Sequence, residues 1–319
     1  MSGIQHVPPR SGQQFTITHG DYTAVITELG ATLRKLTYQG HDVIVPWNAD
    51  QPVPCTNGEL LIPFPNRIQN GTYTFEDRTY TLPIDEHERH TAIHGYGYRS
   101  FWKLETADEQ STTLSWRVPG IVGYPFNLYV TTTYSLKDDG LHIEVTAQNL
   151  DNVDAPWALA IHPWIANGFD GFGDEIDAQN AQCRVTIPAR THVKVDDDLI
   201  PQGTEPVEGT KYDLRKPTAL TGQPFDDAWT DVEHDSHGLT TASFERPDGM
   251  RVRLGGDRTI TSFQMCTGTG FAPEKHPSGV AIEPQTAYAN AFNSGEDLIV
   301  LKPGSSAKTS MFISAEFGF

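Results

Sequence analysis

The 319-residue sequence predicts an all-β fold, a large antiparallel β-sandwich. Glycine occurs 28 times and proline 22 times, which is typical of many short strands joined by turns. Polar and apolar residues alternate through much of the chain, and no window longer than ten residues has a convincing helical period. Because no repeat, low-complexity linker or change of composition divides the sequence, we expect residues 1–319 to form a single domain built from two packed sheets around a cleft.

The strands can be assigned from the period-two alternation. The first alternating stretch runs from Gln14 to Val45 and is interrupted by turn residues at His19-Gly20-Asp21, Leu29-Gly30 and Gln39-Gly40. Later strands are predicted at Thr112–Val118, Asn127–Leu136, Leu141–Asn149, Cys183–Ile187, Leu239–Phe244, Met250–Leu254, Thr259–Met265, Leu298–Leu301 and Lys308–Glu316.

Several short polar segments mark the connections between these strands. Asn70-Gly71 and Asp77-Arg78 predict hairpin turns, and Asp138-Asp139-Gly140 and Pro247-Asp248-Gly249 are further turn signals. Asp196–Pro217 is rich in polar residues and is predicted to be a long loop, either on the surface or at the edge of a cleft.

Composition and charge exclude some classes of function. The net charge of −18, from 23 Lys and Arg against 41 Asp and Glu, disfavours binding to nucleic acid or to an anionic membrane. Cys55, Cys183 and Cys266 are widely spaced and odd in number, so no disulfide framework is expected. Residues 1–10 lack the pattern of a signal peptide and no apolar run approaches the length of a membrane span, which predicts a cytoplasmic protein.

Three polar side chains stand at the predicted ends of apolar strands. Glu283 follows Val-Ala-Ile and precedes Pro284, which we expect to end its strand because proline cannot donate to a central ladder. His94 follows Thr-Ala-Ile, and His162 follows Ala-Leu-Ala-Ile. One such residue is usually a structural residue with satisfied hydrogen bonds, but three with the same layout point to a shared site.

General acid–base catalysis accounts for this set of residues best. A metal site remains an alternative, but the chain has no H-x-H, H-E-x-x-H or His-Cys cluster, and we expect neither a metal nor another cofactor. No G-x-S-x-G motif supports a nucleophilic serine. Glycoside hydrolysis by Glu283 with Asp226 or Asp227 would leave the two histidines without a role. A Glu base with a His acid uses all of them.

Two further segments point to a polar substrate the size of a sugar. Asn66 and Arg67 follow an apolar run and a rigid Pro-Phe-Pro, and a forked donor beside aromatic residues suits hydroxyl recognition. Asp226 lies between Phe225 and Trp229, where either an Asx-type turn or a ligand contact is consistent with the pattern.

The ordered set N-R-I, I-H-G, H-P-W, F-D-D-A-W and I-E-P-Q resembles the aldose 1-epimerase (galactose mutarotase) family over nearly the whole chain, from about Ile26 to Glu316. The segment L-I-P-F-P-N-R-I is most similar to the bacterial branch with a P-W-P-N-R-I type motif. The resemblance implies a galactose mutarotase-like supersandwich and interconversion of the α and β anomers of a free aldohexose, without a cofactor.

The resemblance also implies roles for individual residues. By position, Glu283 matches the family's catalytic base, His162 its general acid and His94 its second active-site histidine. The residues that match, or lie beside, the family's sugar contacts are Arg67, Asn66, Asp226, Trp164 and, less closely, Gln285. Two segments depart from the family pattern, Ile161–Ile165 around the acid histidine and Cys266-Thr267-Gly268 where the family has Y-T-G, so the preferred sugar stays open.

Alternatives to a mutarotase of neutral hexoses follow from the same residues. One is a mutarotase for a hexose 6-phosphate or sulfonated sugar, which would need a second basic residue such as Arg99 or Lys275. Another is a carbohydrate-binding sandwich without turnover, and a third is a glycosidase or lyase. We expect a small-molecule sugar as the partner and a monomer or homodimer. The aromatic residues that either line the pocket or belong to the core are Phe64, Phe101, Trp102, Trp164 and Trp229.

Overall fold

The structure, a computed structural model, describes residues 7–169 and 174–319. Most of residues 1–10, on which the expected cytoplasmic location depends, lie outside these ranges. Within them, no helix is long and apolar enough to cross a membrane.

Strands dominate the described residues. The first nine are β1 Gln14–His19, β2 Tyr22–Thr27, β3 Leu33–Tyr38, β4 His41–Asp42, β5 Leu60–Leu61, β6 Arg67–Gln69, β7 Thr72–Phe75, β8 Arg78–Thr81 and β9 Thr91–Ile93. The next elements are β10 Lys103–Ala107, β11 Ser111–Arg117, β12 Leu128–Lys137, β13 Gly140–Asn149, β14 Ala155–Trp157, β15 Ala160–Ile161, β16 Trp164–Ala166 and helix α1 Asp174–Asn180.

The C-terminal half continues the same organisation. Its elements are β17 Arg184–Thr186, β18 Ala189–Val195, β19 Pro201–Pro206, β20 Thr218–Ala219, β21 Asp226–Val232, β22 Thr240–Glu245, β23 Met250–Gly256, β24 Ser262–Cys266, β25 Gly279–Gln285, helix α2 Ala291–Ser294, β26 Ile299–Leu301 and β27 Ser306–Phe317. Single turns of 3-10 helix lie at Pro54–Thr56, Gly97–Arg99 and Pro273–Lys275.

Two large antiparallel sheets form the body of the fold. One has nine strands in the order β10-β11-β12-β13-β27-β23-β22-β17-β20, and the other runs β19-β18-β21-β24-β25-β15-β5, with β16 also paired to β25. Smaller sheets are formed by β1 to β4 and by the pairs β14–β26, β6–β9 and β7–β8. Apolar side chains from both large sheets, such as Val252, Phe244, Phe263 and Ile282, belong to one core. The predicted all-β antiparallel sandwich is confirmed.

The strand with the cleanest alternation shows why the sequence forms this fold. β12 alternates buried and partly exposed residues along its length, so one face packs on the core and the other faces outward. It pairs with β13 through the Lys137–Gly140 register, which confirms the turn predicted at Asp138-Asp139-Gly140. β25 differs because all seven of its residues are buried, on both faces.

Two local predictions are wrong, and one open alternative is removed. β6 pairs with β9 and not with β7, so Asn70-Gly71 is a turn without a hairpin. The predicted loop Asp196–Pro217 contains β19, an edge strand whose polar residues are tolerated because they are mostly exposed. Asp226 begins β21, which removes the Asx-type turn that the sequence had left open beside a ligand contact.

The expected break at Pro284 is also wrong, because β25 continues to Gln285. On the β15/β16 side, Ile282 donates its backbone N–H to Pro163 and Thr286 donates to Leu159. Pro284 lies between these two donors, opposite the point where β15 ends and β16 has not yet begun. The missing N–H therefore faces a gap in the neighbouring strand, where a proline is tolerated.

Candidate active site

A cavity of about 220 Å³ opens on the solvent-facing side of the eight-stranded sheet. The residues that line it are Cys55, Thr56, Asn66, Arg67, His94, His162, Trp164, Asp226, Gln264, Cys266, Phe271 and Glu283. It therefore brings together the three strand-end residues singled out in the sequence and both sugar-contact segments.

Strand register places the floor residues of this cavity on one face of the sheet. Gln264 of β24 lies directly opposite Glu283 of β25, and Cys266 lies opposite both Asp226 and Ala281. Residues opposite one another in adjacent strands share a face, and residues two apart within a strand do as well. The intervening Met265 and Ile282 point the other way and are fully buried in the core.

His162 lies in the short break between β15 and β16. Its backbone N–H donates to Glu59 C=O at 3.0 Å and its C=O accepts from Gly58 N–H at 2.8 Å, so the break is held on both sides. The side chain reaches Glu283 of the neighbouring strand, with 3.3 Å between Nε2 of His162 and Oε1 of Glu283. Proton transfer between two such groups and one bound molecule is geometrically feasible.

Burial changes the proton affinity of this pair in opposite directions. Glu283 is 2% exposed, and burial, with the Asp226 carboxylate nearby, raises its pKa to about 8. Burial lowers the pKa of His162 to about 4. Desolvation disfavours the charged form of each group. At neutral pH the pair therefore holds one proton between a carboxyl group and an imidazole.

His94 is held by Asn66 in a defined orientation. The two residues exchange hydrogen bonds. The backbone N–H of Asn66 donates to the ring Nδ1 of His94 at 3.2 Å, and the backbone N–H of His94 donates to the Asn66 C=O at 2.9 Å. Burial, followed by the nearby His162 and Arg67, holds the pKa of His94 well below its usual value. His94 is therefore neutral, with its proton on Nε2, because Nδ1 accepts a hydrogen bond.

The turn after His94 requires glycine. Both His94 and Gly95 have positive φ, 62° and 67°. A Cβ atom on Gly95 would lie 2.2 Å from the carbonyl oxygen of Ile62. Glycine alone allows this close approach of two backbones, which places the His94 ring edge-on to the His162 ring with 5.7 Å between their centroids.

Arg67 is an ionised group fixed by a half-buried carboxylate. Its Nε and one terminal nitrogen donate to the two oxygens of Glu86 at 2.7 and 2.9 Å. Burial alone would raise the pKa of Glu86, but the hydrogen bonds from Arg67 and Thr91 and the charge of Arg89 lower it to about 2. Arg67 is 8% exposed. The other terminal nitrogen of its guanidinium group lies beside Asn66 and donates to the side-chain oxygen of that residue.

The opposite wall combines polar and aromatic groups. Asp226 accepts a hydrogen bond from the Gln264 side chain at 2.8 Å, and Trp164 donates its indole N–H to Cys55 C=O at 3.0 Å. Phe271, which is 40% exposed, lies at the mouth with its ring centroid 6.1 Å from that of Trp164. A sugar-sized molecule would meet acceptors and donors on one side and aromatic surface on the other.

Comparison with known proteins identifies the family. The family model described as aldose 1-epimerase matches residues 13–314. This chain belongs to the aldose 1-epimerase family. Members of this family are isomerases, and the resemblance predicted from the ordered motifs is confirmed.

Individual relatives agree with this assignment. The chain is 30% identical to the uncharacterized protein YihR of Escherichia coli over 92% of this chain and 90% of that protein. It is 37% identical to rat galactose mutarotase, over 49% of this chain and 44% of that enzyme, and 36% identical to the pig enzyme, over 75% and 72%.

Solved structures share the fold. An aldose epimerase homologue from C. elegans aligns with a TM-score of 0.82 at 20% identity, over 96% of this chain and 99% of that one. Galactose 1-epimerase from Lactobacillus acidophilus aligns with a TM-score of 0.78 at 18% identity, over 95% and 94%.

Within this epimerase-family fold, most of the predicted site residues line the cavity. Gln285 does not: it is fully buried, and its side-chain amide lies 3.4 Å from Glu283 Oε2, so it supports Glu283 from behind. Of the five aromatic candidates, Trp164 lines the cavity. Phe64, Trp102 and Trp229 are buried in the core, and Phe101 is 59% exposed elsewhere.

Sequence reasoning missed several lining residues, including Gln264, Cys55, Thr56 and Phe271. The sequence did contain an indication of Gln264, because it is a polar residue inside the apolar run Phe263–Cys266. It lies two positions from Cys266, so both side chains are on the same face of the strand. Phe271 follows Gly268 and Gly270 in a loop, where no sequence periodicity indicates which way its side chain points. Within residues 7–169 and 174–319, no group of three His, Cys, Asp or Glu side chains is placed to hold a metal ion.

Proposed function

We propose that this protein is an aldose 1-epimerase that interconverts the α and β anomers of a free, neutral aldohexose of the glucose or galactose type. The observation that carries the proposal is the buried Glu283–His162 pair, 3.3 Å apart at the base of the cavity. Anomer exchange needs one group that removes a proton and one that donates a proton, and a buried pair sharing one proton provides both.

The proposed reaction opens and closes the sugar ring. Glu283, as a carboxylate, takes the proton from the O1 hydroxyl while His162, as an imidazolium, protonates the ring oxygen. The bond between C1 and the ring oxygen breaks, C1=O1 forms, and the free aldehyde results. After rotation about C1–C2, the protonated Glu283 returns its proton to O1 and neutral His162 takes back the proton of the attacking hydroxyl.

The shifted pKa values fit this cycle. Before ring opening the reactive state has Glu283 ionised and His162 protonated, whereas burial favours protonated Glu283 and neutral His162. The two states contain the same number of protons and differ by one transfer across the pair. Each group is expected to contribute on the order of 10²–10⁴-fold to the rate.

The remaining cavity residues suit recognition of hydroxyl groups. We propose that Asp226 accepts and Arg67 donates hydrogen bonds to ring hydroxyls, and that the N–H of His94 points toward the ring oxygen. Asn66 lies beside them but uses its side-chain oxygen to accept from Arg67, so its proposed role is to orient Arg67 and His94. Trp164 offers an aromatic face to the C–H side of the sugar.

The charges around the cavity favour a neutral sugar over an anionic one. Arg67 is the cation among the described lining residues, and Glu86 already occupies two of its nitrogens. Neither candidate for a second cation lines the cavity, and the first of them, Arg99, is paired with Asp85. The other, Lys275, lies near the Cys55 thiol, whose pKa burial raises more than the Lys275 charge lowers it. Asp226 faces the cavity, and Glu283 is ionised in the reactive state, so a phosphate or sulfonate would approach two carboxylates in that state.

The test is the rate of anomer exchange, measured by NMR exchange spectroscopy on equilibrium mixtures of D-glucose, D-galactose and D-glucose 6-phosphate. We expect catalysed exchange of a neutral hexose that is abolished in Glu283→Gln, and weaker exchange of the phosphate ester, which has the same ring as glucose. Catalysis of the phosphate ester alone would contradict the neutral substrate and retain the reaction. Calorimetric binding of a hexose without exchange would indicate a binding protein.

A further inference from the structure

His192 of β18 is a buried histidine one layer behind the cavity. It is 3% exposed, and both of its ring nitrogens face carboxylates from neighbouring strands. Nε2 lies 2.9 Å from Asp227 of β21, and Nδ1 lies 3.1 Å from Glu205 of β19. The sequence did not indicate this cluster, because Asp196–Pro217 was predicted to be a loop. Glu205 instead belongs to the edge strand β19, which pairs with β18.

Two acidic side chains and an aromatic ring hold this imidazole in place. Each ring nitrogen has a carboxyl oxygen within hydrogen-bond distance, so the direction of the ring is set by both neighbouring strands. The Tyr212 ring stacks on the imidazole with 3.4 Å between centroids, and Trp229 donates its indole N–H to Tyr212 C=O. Lys211 lies on the Tyr212 ring, 4.9 Å from its centroid. A cation on an aromatic face is favourable, so Lys211 helps to hold the Tyr212 ring against the imidazole.

One of the two carboxylates connects His192 to the cavity. Oδ1 of Asp227 faces His192, and Oδ2 of the same group accepts from the backbone N–H of Asp226 at 3.2 Å. Asp226 is the first residue of β21 and projects into the cavity beside Gln264. A strand has fewer ladder contacts at its first residue, so the direction of Asp226 depends on these local bonds.

We propose that His192 is a positioning residue for substrate binding. By holding Asp227, the His192 ring fixes the backbone at Asp226 and thereby the direction of a carboxylate that contacts the sugar. Glu205 contacts the other ring nitrogen, on the outer side of the ring, and is not hydrogen-bonded to Asp226. The inference rests on the proposed function, since it takes the cavity to be the sugar site.

Two amide substitutions separate the inner contact from the outer one. The amide nitrogen of Gln reaches about as far along the side chain as Nε2 of histidine, and that of Asn reaches about as far as Nδ1. His192→Gln therefore keeps a donor toward Asp227, whereas His192→Asn keeps a donor toward Glu205 only. We expect His192→Asn to raise both the calorimetric Kd and the KM for the hexose about tenfold, the scale of one hydrogen bond to a charged group, with kcat within about twofold.

The controls test whether His192 acts through Asp226. His192→Gln is expected to restore most of the affinity, and Glu205→Gln, which changes only the outer partner, to leave Kd within about twofold. If His192 acts through Asp226, the double variant His192→Asn/Asp226→Ala binds no more weakly than Asp226→Ala alone. If His192→Asn does not fold, Asp227→Asn against Glu205→Gln makes the same comparison, and the inner substitution alone weakens binding.

Three results would overturn the proposal: equal losses for His192→Asn and His192→Gln, additive losses in the double variant, or a loss in Glu205→Gln as large as that in Asp227→Asn. Each would indicate a general effect on the stability of this region. Because Kd is read separately from exchange, a wild type that binds hexoses without turnover contradicts the proposed reaction and leaves this test intact. A wild type that binds no hexose contradicts both.

Discussion

Glu283 and Glu86 each lie next to a nitrogen-containing side chain of the cavity, His162 and Arg67 respectively. Their environments nevertheless shift the pKa of the two carboxyl groups in opposite directions. Glu86 receives two hydrogen bonds from Arg67 and others from Arg89 and Thr91, and its pKa falls to about 2. Glu283 is more deeply buried, receives one long contact from Gln285, and its pKa rises to about 8.

Burial raises the pKa of both groups, more strongly at Glu283, and the hydrogen-bond donors and positive charges around Glu86 reverse its direction there. Enough donors keep a buried carboxylate ionised, and the resulting pair is a rigid support. A buried carboxyl group with few hydrogen-bond donors around it keeps its proton at neutral pH. It can exchange that proton with a neighbour such as His162. We propose that the first arrangement holds the residues that contact the sugar and that the second performs the chemistry.

The largest expected effect comes from removing the proton carrier. His162→Gln keeps a buried amide of similar size but cannot protonate the ring oxygen, so kcat should fall by about 10²–10⁴-fold. Thermal unfolding should change little, since the backbone of His162 makes its own bonds to Glu59 and Gly58. Turnover within about threefold of wild type would remove His162 from the mechanism.

The pH dependence of kcat/KM should report the shared proton. Below a pH of about 4 both groups are protonated, and above a pH of about 8 both are deprotonated, so the active one-proton state lies between. After subtraction of the uncatalysed rate, kcat/KM should be level through neutral pH and fall up to about tenfold per unit above pH 8. A corrected rate that keeps rising above pH 8 would contradict the pair as the proton reservoir.

Glu86→Gln should affect stability first. It leaves Arg67 buried without its main counter-charge, and loss of one partner of a buried ion pair costs about 3 kcal/mol of the free energy of unfolding. Urea unfolding measures this loss. Glu88→Gln, an exposed change in the same segment, is the matched control and should cost less than about 0.5 kcal/mol. Equal effects of the two substitutions would show that Glu86 is not a support.

The stability effects of the two carboxylates should also have opposite pH dependence. The folded pKa of Glu86 is below its usual value of 4.5, so its contribution is present above pH 4.5 and is lost as the pH falls toward 2. The folded pKa of Glu283 is above 4.5, so wild type loses stability as the pH rises from 4.5 toward 8.

Urea unfolding at pH 3, 4, 6 and 8 tests this contrast. Glu283→Gln cannot ionise, so its stability relative to wild type should increase by ~1 kcal/mol or more between pH 4 and pH 8. The deficit of Glu86→Gln should instead grow between pH 3 and pH 6. If Glu283→Gln became less stable than wild type on going to pH 8, the raised pKa of Glu283 would be wrong.

Much of the fold was predictable because its signals are local. Alternation along β12 and β13 and the Asp-Asp-Gly turn between them predict one hairpin from one stretch of sequence. The strand-end layout of His94 and His162 was predictable for the same reason. Pro284 was misread because the gap that accommodates it belongs to another strand, β15/β16, more than a hundred residues away in the chain.

The parts of the site that were missed depend on register and on partners distant in sequence. Gln264 faces the cavity because β24 pairs with β25 in the register that puts it opposite Glu283, and the packing of the whole sheet sets that register. Glu86 and Glu205 look like surface charges in polar segments. Their roles appear only when folding brings them against Arg67 and His192.

The smallest expected effect concerns the cavity's mouth, where contacts involve no proton. Phe271 would cover the C–H face of a sugar equally in the ground state and in the transition state, so Phe271→Ala should raise KM about 2–10-fold, the scale of ~0.5–1.5 kcal/mol for an aromatic contact, with kcat unchanged. Phe101→Ala, an exposed phenylalanine outside the cavity lining, is the matched control and should change neither constant. A Phe271→Ala variant whose kcat falls while KM is unchanged would place this loop in the proton-transfer step, contrary to the separation between binding at the mouth and acid–base chemistry at the base.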